Sequence, residues 1–494
     1  MPATNKVQQS STLGSQLVTQ ITQFATRDRG RAVEGAIWLA EAAASEALLF
    51  AAVLFLIGGI DDLAVDVFWI VRHLTRRATV YRRHARKALS DFPPADLHFA
   101  MFVPAWDEGA VIAQMLSTTL SRLTCGRLVV FVGCYPNDVA TCDAVADVAD
   151  KDARIVLALN PRQGPTTKAD NLNAMWRALQ RHEAATGMRF DAVVLHDAED
   201  VVSSGELRVF AHLLERAEVV QLPVLPLVDD RSRWISGHYV DEFAEAHSKM
   251  MVVREALGAA LPLAGTGFAI DRALLGRLAA ARGGAPFDAE SLTEDYELGL
   301  ALSRHGARAM LAHVPVTPGG MPVAVRAHFP ASLDEAVRQK ARWMTGIALA
   351  GWDRVGWSGW RRRPLIENWM RLRDRRAPIA VLALLAAYGG ALLWAVAELL
   401  GWIGGETVAL SVPWWLLAAN GALMAWRLTL RAGIVARFYG WAEGVRSIPR
   451  ALIANVIAMC AARDAMARYV RMLRGDELVW DKTSHVYPGT LPAE

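Results

Sequence analysis

Asp191-Ala192-Val193-Val194-Leu195-His196-Asp197-Ala198-Glu199-Asp200 is an apolar run that ends in acids. Residues 193–195 are β-branched and apolar enough for a buried strand. Asp197, Glu199 and Asp200 then follow within one turn. Carboxylates crowded at a strand end repel one another unless a cation sits among them. A hard divalent ion such as Mg2+ or Mn2+ suits such oxygen ligands, and it commonly brings a phosphorylated substrate. Read alone, the same residues also fit an acidic turn after a strand, so the rest of the chain must decide.

The chain has 494 residues, 53% of them hydrophobic, a net charge of +3, 17 Trp and 4 Cys. That length allows two or three domains with large cores. The near-neutral balance gives no sign of a nucleic-acid partner. Many Trp lie near basic clusters, as at a membrane interface. Cys125, Cys134, Cys142 and Cys460 show no metal-ligand pairing, and three fall in the expected soluble region, which suits a reducing cytosolic face. No secretory signal is expected, because the first apolar run starts late.

Residues 1–34 read as a polar N-terminal tail or loose helix. Residues 35–90 read as a transmembrane helix over 36–60, an interfacial stretch over 61–71, and a basic cluster over 72–87 that marks the cytoplasmic side. In residues 91–333 short apolar runs alternate with helical patterns: 98–103 then 108–120, 128–132 then 140–149, 154–159 then 169–180, and 192–195 then 205–216. Such alternation predicts an α/β domain with a parallel sheet, whose ligands bind at the carboxyl ends of strands. Residues 334–376 are basic and Trp-rich and read as interfacial helices, with Arg361-Arg362-Arg363 and 371–376 facing lipid headgroups. Residues 377–432 hold two further spans, over 377–403 and 407–426, separated by Gly404-Gly405-Glu406. Residues 433–494 read as a re-entrant or interfacial helix over 447–462 and a C-terminal tail.

Four other patches match the acidic one. Val103-Pro104-Ala105-Trp106-Asp107-Glu108 follows the first strand, and a carboxylate there can accept ribose or base hydrogen bonds; locally it is a helix-start signal. Gly164-Pro165-Thr166-Thr167-Lys168-Ala169-Asp170-Asn171-Leu172-Asn173 is a turn leading into a helix with Lys168 at its start, a setting that favours a diphosphate. Its spacing is not that of a P-loop. Thr293-Glu294-Asp295 is an acid pair in a loop before a helical pattern over 296–304. Asp295 could take a proton from an attacking hydroxyl, and the same residues also make a good helix cap. Gln339-Lys340-Ala341-Arg342-Trp343 offers an aromatic ring for a sugar and polar groups for a phosphate or hydroxyls.

In this order the five patches resemble the family 2 inverting glycosyltransferases of the processive membrane type. The family pattern is Pro-Ala-aromatic-x-Glu, Gly-Lys-Ala-x-x-Leu-Asn, Asp-x-Asp, Glu-Asp and Gln-x-x-Arg-Trp. The last is shared with processive polymer synthases such as cellulose and hyaluronan synthases. The resemblance implies a GT-A fold, a Rossmann-like mixed sheet in the cytosol, with flanking transmembrane and interfacial helices. It implies that Pro104 and Glu108 hold the uridine and that Lys168 lies near the diphosphate. Asp197 and Glu199 would be the metal acids for Mg2+ or Mn2+, with Asp200 a helper. Gly265 and Thr266 would lie near the acceptor. Asp295, beside Glu294, would be the base, and Gln339, Arg342 and Trp343 would frame the acceptor sugar. Two departures stand out. Glu199 replaces the second Asp of Asp-x-Asp. Gly133-Cys134 stands where an Asp pair usually reads uracil, leaving Asp138 or Asp107 as substitutes. Relatives often continue into a C-terminal regulatory domain, which is not expected in a sequence ending at Glu494.

Three functions follow as expectations. The first is a processive synthase on the bacterial inner membrane, taking a UDP-sugar, with an N-acetylhexosamine as the donor the relatives suggest. It would extend a growing glycan among membrane lipids, with homo-oligomers or an outer-membrane export partner, since the spans are few for a private channel. The second is transfer of one sugar to a polyprenyl-phosphate or lipid acceptor. The third is a non-catalytic membrane scaffold that has kept the fold without the chemistry.

Overall fold

A computed structural model describes the chain over residues 4–124, 127–359, 364–405, 407–476 and 486–489, with side chains from residue 34 onward. Cys125, Arg361-Arg362-Arg363, Glu406, and the side chains of the polar tail lie outside the described residues. The chain divides into two compact units, Met1–Asp61 with Ile379–Ala425, and Asp62–Pro378 with Trp426–Glu494.

The larger unit carries a seven-stranded sheet in the order β3-β2-β1-β4-β6-β5-β7. Its strands are β1 (His98–Pro104), β2 (Arg127–Cys134), β3 (Ile155–Leu159), β4 (Ala192–Leu195), β5 (Val219–Gln221), β6 (Phe268–Asp271) and β7 (Ala309–Leu311). The first four pair in parallel, as their alternation with helices predicts. β6 runs antiparallel to both β4 and β5, so the sheet is mixed. β4 sits in the middle of the order with every residue buried, which is why its sequence is apolar on both faces.

Helices cover both faces. Phe99, Met101 and Val103 of β1 pack with Ile112, Met115 and Leu116 of α2 (Ile112–Arg122) on one side. Ala100 and Phe102 pack with Leu172, Met175 and Trp176 of α4 (Lys168–Thr186) on the other. This alternation is the period-2 geometry of a strand. α2 begins four residues later than the pattern over 108–120 suggests. Asp107 takes a positive φ of 54°, and the chain turns there before it can enter a helix. Conversely, α9 (Glu294–Arg304) starts earlier than expected, so Glu294 and Asp295 are its first two residues rather than a loop.

The membrane-proximal segments depart further from expectation. α1 is one helix over Thr4–Arg83, joining the tail, the apolar run and the basic cluster. α13 (Ala377–Gly404) is as expected, whereas α14 starts only at Trp414 and runs to Tyr439, because Pro413 cannot continue a helix backwards. Among the described residues three helices are long and apolar enough to cross a membrane: Glu34–Arg83, Ala377–Gly404 and Trp441–Leu473. The expected span over 407–426 is therefore not among them, and α15 (Trp441–Leu473) is. One face of α15 is covered: Ile457, Ala461 and Ala465 pack on Tyr239 of α6 (Ile235–Glu245) and on Ala336, Val337 and Ala341 of α10 (Leu333–Trp343). Its Arg450 is fully buried between Asp241, at 2.6 and 2.9 Å, and Glu443, at 2.7 Å.

Of the arginines expected to face lipid headgroups, Arg371, Arg373 and Arg375 are instead buried. Arg371 pairs with Glu367 at 2.8 Å, Arg373 with Asp62 at 2.8 Å, and Arg375 lies over the Trp352 ring at 4.7 Å. Carboxylates, carbonyls and indoles of the larger unit supply what the headgroups were expected to supply. Residues 344–350 between α10 and α11 (Gly351–Val355) form a π-helical turn, which breaks the spacing on which an interfacial reading rests.

Gly299 of α9 shows how tightly the site is framed. A Cβ there would lie 2.3 Å from the Leu261 carbonyl oxygen and 3.0 Å from the Leu263 nitrogen. Alanine would gain about 1 kcal/mol of helix propensity and lose about 3 kcal/mol against main chain that no rotamer relieves. Gly299→Ala is therefore expected to destabilise the larger unit by about 2 kcal/mol, read by denaturant unfolding in detergent.

Candidate active site

The carboxyl end of β4 opens directly onto Asp197. Its Oδ1 accepts from Lys168 Nζ at 2.5 Å. Lys168 is the first residue of α4, whose N-cap Thr167 accepts from the Asp170 amide at 3.2 Å, so the cap fixes where the ammonium emerges. The same ammonium lies 3.7 Å from Glu294 and 3.4 Å from the Gly265 carbonyl oxygen. Gly265 has a φ of +80°, and a Cβ on it would meet Asp295 Oδ2 at 2.9 Å and Lys168 Nζ at 3.8 Å. Lys168, Asp197, Gly265, Glu294 and Asp295, far apart in sequence, thus converge on one small volume.

Three carboxylates there share one ammonium. Burial opposes the charge on Lys168, but Asp197 and then Glu294 outweigh it and hold the ammonium above its ordinary range. Burial, reinforced by the neighbouring Glu294, pushes the Asp295 carboxyl upward against the pull of Lys168. A carboxyl raised in this way is suited to proton transfer near neutral pH.

Asp200 does not point out with Asp197. It is 1% exposed, and its Oδ2 accepts from the Asp197 amide at 2.8 Å, from His196 Nδ1 at 3.1 Å, and from the Thr266 hydroxyl. The other His196 nitrogen donates to Glu206 at 3.0 Å. Burial disfavours the charged ring, but Glu206 and Asp200 raise it to about 10, so it is an imidazolium at neutral pH. His196 and Glu206 were not singled out by sequence reasoning. Their one legible signal is that a buried strand exits into a His and an acid that no cap or surface explains.

At the other end of the site, Pro104 closes β1 beside Gly133. Glu108 is buried, with its amide donating to Thr141 Oγ1 at 2.9 Å. Asp138 caps α3 (Val139–Ala149), accepting from the Thr141 amide at 3.3 Å and from the Asp107 amide at 2.6 Å. Trp106 and Tyr135 meet edge to face at 5.3 Å, and Gly164 fits against both rings. Asn137 bonds the Gly164 amide at 2.7 Å and its carbonyl at 2.8 Å. Gly133 is packed against Asn171: a Cβ would lie 2.4 Å from Asn171 Oδ1, while Asn171 Nδ2 donates to the Gly133 carbonyl at 2.8 Å.

Gln339, Arg342 and Trp343 share the last turns of α10. Gln339 Oε1 and Thr293 Oγ1 are buried without a partner among the described residues. Gly346 in the following π-helical turn packs on Thr293, which would lie 2.6 Å from its Cβ, so the turn abuts the start of α9. Trp343 stands edge-on to Tyr239 at 6.0 Å, and the Lys340 ammonium lies 5.1 Å from both rings.

Among the described residues no group of three or more His, Cys, Asp or Glu side chains is arranged to hold an ion. Asp197 and Glu199, one residue apart, are hard oxygen donors, and the surplus of carboxylate over ammonium around Asp197 favours a further cation. One or two carboxylates completed by substrate phosphates is a usual protein site for Mg2+, so these residues fit such an ion.

Comparison with known proteins agrees with this architecture. The model of glycosyltransferase like family 2 matches residues 93–346. The bacteriophage adsorption protein B of Escherichia coli (strain K12) is 33% identical over 466 residues, which is 88% of this chain and 61% of that protein. The chain thus spans about three fifths of the curated relative's length. The stretches Val103–Glu108, Gly133-Cys134-Tyr135-Pro136-Asn137-Asp138 and His196–Asp200, together with Trp480-Asp481-Lys482-Thr483 outside the described residues, are those expected to carry a likeness to that protein. Among solved structures, a mannosyltransferase from Pyrobaculum calidifontis in complex with GDP-Man and Mn2+ matches with a TM-score of 0.47 and 16% identity, covering 85% of this chain and 99% of that one. Glucosyl-3-phosphoglycerate synthase from Mycobacterium tuberculosis, with Mn2+ and UDP, matches with a TM-score of 0.33 and 17% identity over 53% of this chain and 82% of that one. With the family model covering residues 93–346 and a mixed α/β sheet carrying acids at the end of its central strand, the chain belongs to the family 2 glycosyltransferases, with a GT-A fold.

Proposed function

We propose that this protein is an inverting glycosyltransferase of the bacterial inner membrane, multi-pass, with its catalytic domain in the cytosol. It would use a UDP-sugar, a UDP-N-acetylhexosamine being the first donor to try, to build and help export an envelope polysaccharide. The observation that carries this reading is the convergence of Lys168, Asp197, Glu294 and Asp295 at the end of β4. Trp106, Tyr135, Glu108 and Asp138 line the end where the base would lie. Lys168 would hold the diphosphate after leaving Asp197, and Asp197 with Glu199 would hold Mg2+ or Mn2+. When bound, such an ion neutralises charge on the departing diphosphate. Asp295 takes the proton of the acceptor hydroxyl, the acceptor oxygen attacks the anomeric carbon from the opposite side, and the bond to the diphosphate breaks. Configuration inverts without a covalent enzyme intermediate. Gln339, Arg342 and Trp343 would frame the acceptor, and the orphaned Gln339 oxygen is available to a sugar hydroxyl. The covered face of α15 supports its placement along the cytosolic surface of the membrane, with α14 returning the chain after α13.

One observation favours a second reading, a scaffold or phage-receptor component without catalysis. Gly133 stands where an acid usually reads uracil, and a Cβ there would meet Asn171 Oδ1 at 2.4 Å, so an acid would need Asn171 to move.

Purified full-length protein in nanodiscs, supplied with a panel of UDP-sugars and Mg2+ or Mn2+, is expected to release UDP with one donor. Asp295→Asn is expected to lower that rate by about 10²–10⁴-fold. Release from no donor would favour the scaffold, whereas equal release by the variant would rule out Asp295 as the base. Product size then separates a polymer from transfer of one sugar to a polyprenyl-phosphate or lipid.

The active form of Asp295 is the carboxylate, and its surroundings raise its protonation point. Turnover is therefore expected to climb as pH rises through that raised value, from below neutrality upward. Lys168→Met removes the cation that opposes the shift, so the acid limb should move to higher pH. A pH profile of UDP release for both proteins checks the sign.

A further inference from the structure

The carboxylate of Asp200 is buried where a metal helper would have to be exposed. It lies behind Asp197, at the seam between β4 and β6. These strands pair antiparallel with Leu195 opposite Phe268, so the exit of one and the entry of the other are neighbours. The exit carries His196 and Asp197. The entry carries Gly265, Thr266 and Gly267. The sheet bonds end with the Gly267 amide on the Leu195 carbonyl at 2.8 Å. Beyond that point no strand pairing joins the two segments among the described residues, and the Lys168 ammonium, 2.5 Å from Asp197 and 3.4 Å from the Gly265 carbonyl oxygen, bridges them only from α4.

Asp200 Oδ2 takes over. It accepts the Asp197 amide on one side and the Thr266 hydroxyl on the other, and the His196 ring lies against it as a third donor. Glu206, fully buried at the start of α5 (Glu206–Leu214), holds the far nitrogen of that ring. A charged group buried in such a setting is held rigidly, because each loss of a partner would strand a charge away from water. The two segments it joins face different partners. Asp197 meets Lys168, on the diphosphate side. Gly265, next to Thr266, packs against the Asp295 carboxylate.

We propose that Asp200, backed by His196 and Glu206, is a positioning residue that joins the acid loop after β4 to the loop before β6 through one carboxylate oxygen. It fixes the separation of Asp197 from Asp295 and does not ligate an ion. The inference rests on the reading of Asp197 as donor-side acid and Asp295 as base, but its main test does not need a known donor. The Thr266 side chain is the narrowest part of the link, since its removal leaves Asp200, His196 and Glu206 in place.

The experiment is hydrogen exchange by mass spectrometry on the full chain in nanodiscs, for wild type, Thr266→Val, Thr266→Ser and Asp200→Asn. Thr266→Val is expected to speed exchange in peptides covering 264–268 and also in those covering 196–201, with peptides of β1, β2 and α4 unchanged. Thr266→Ser keeps the hydroxyl and should match wild type. Faster exchange at 264–268 alone would overturn the proposal, and so would loosening of the whole domain, which would make Thr266 an ordinary packing residue. Should Asp200→Asn fail to fold, Thr266→Val still decides. Once a donor is found, turnover should fall about 10–100-fold in Thr266→Val, with donor KM unchanged and recovery in Thr266→Ser. If no donor is turned over by wild type, the proposed function fails while the exchange result still judges the link.

Discussion

The arrangement of this domain depends on one buried ammonium shared by three carboxylates. Lys168 reaches from the start of α4 to Asp197 after β4 and to Glu294 at the start of α9, with Asp295 beside it. Without that cation, the three acids would repel one another in a half-buried space. With it, their surplus charge is reduced but not removed. A site left slightly too negative favours a further positive charge and a carboxyl that gives up its proton reluctantly. Chemistry and packing are therefore the same arrangement seen twice. The elements that bring these groups together include the antiparallel strand β6, whose entry loop places Gly265 next to Asp295.

Much of this was legible in the sequence. The alternation of short apolar runs with helical patterns gave the four parallel strands. Acids at the end of a strand that is apolar on both faces located the centre of the site. Lys168 emerged at a helix start as read, because Thr167 is a strong cap. The antiparallel β6 was not legible from residues, since its pattern over Phe268–Asp271 is short and its neighbours are set by long-range pairing. The inward turn of Asp200 was hidden for a similar reason. Nothing local separates an acid that faces solvent from one that meets a hydroxyl 66 residues away.

The membrane-proximal arginines were misread for a physical reason. Trp and Arg in alternation suit a lipid surface, but they equally suit a protein interior that supplies carboxylates and indole faces. In residues 364–375 the second case holds: Arg371, Arg373 and Arg375 are all buried. Composition cannot separate these cases, because the guanidinium accepts either environment when its donors are met. Likewise α15 is apolar enough for a span, yet its Ala461 and Ala465 stripe is closed by protein.

Gly133 carries a consequence for substitution. Its missing side chain is filled by Asn171, whose amide also bonds the Gly133 carbonyl. An aspartate at 133 would collide with that amide, and a smaller residue at 171 alone would leave a hole and an unmet carbonyl. A side chain at 133 therefore needs Asn171 to move or to change with it, so the two positions act as one unit of packing rather than as independent sites.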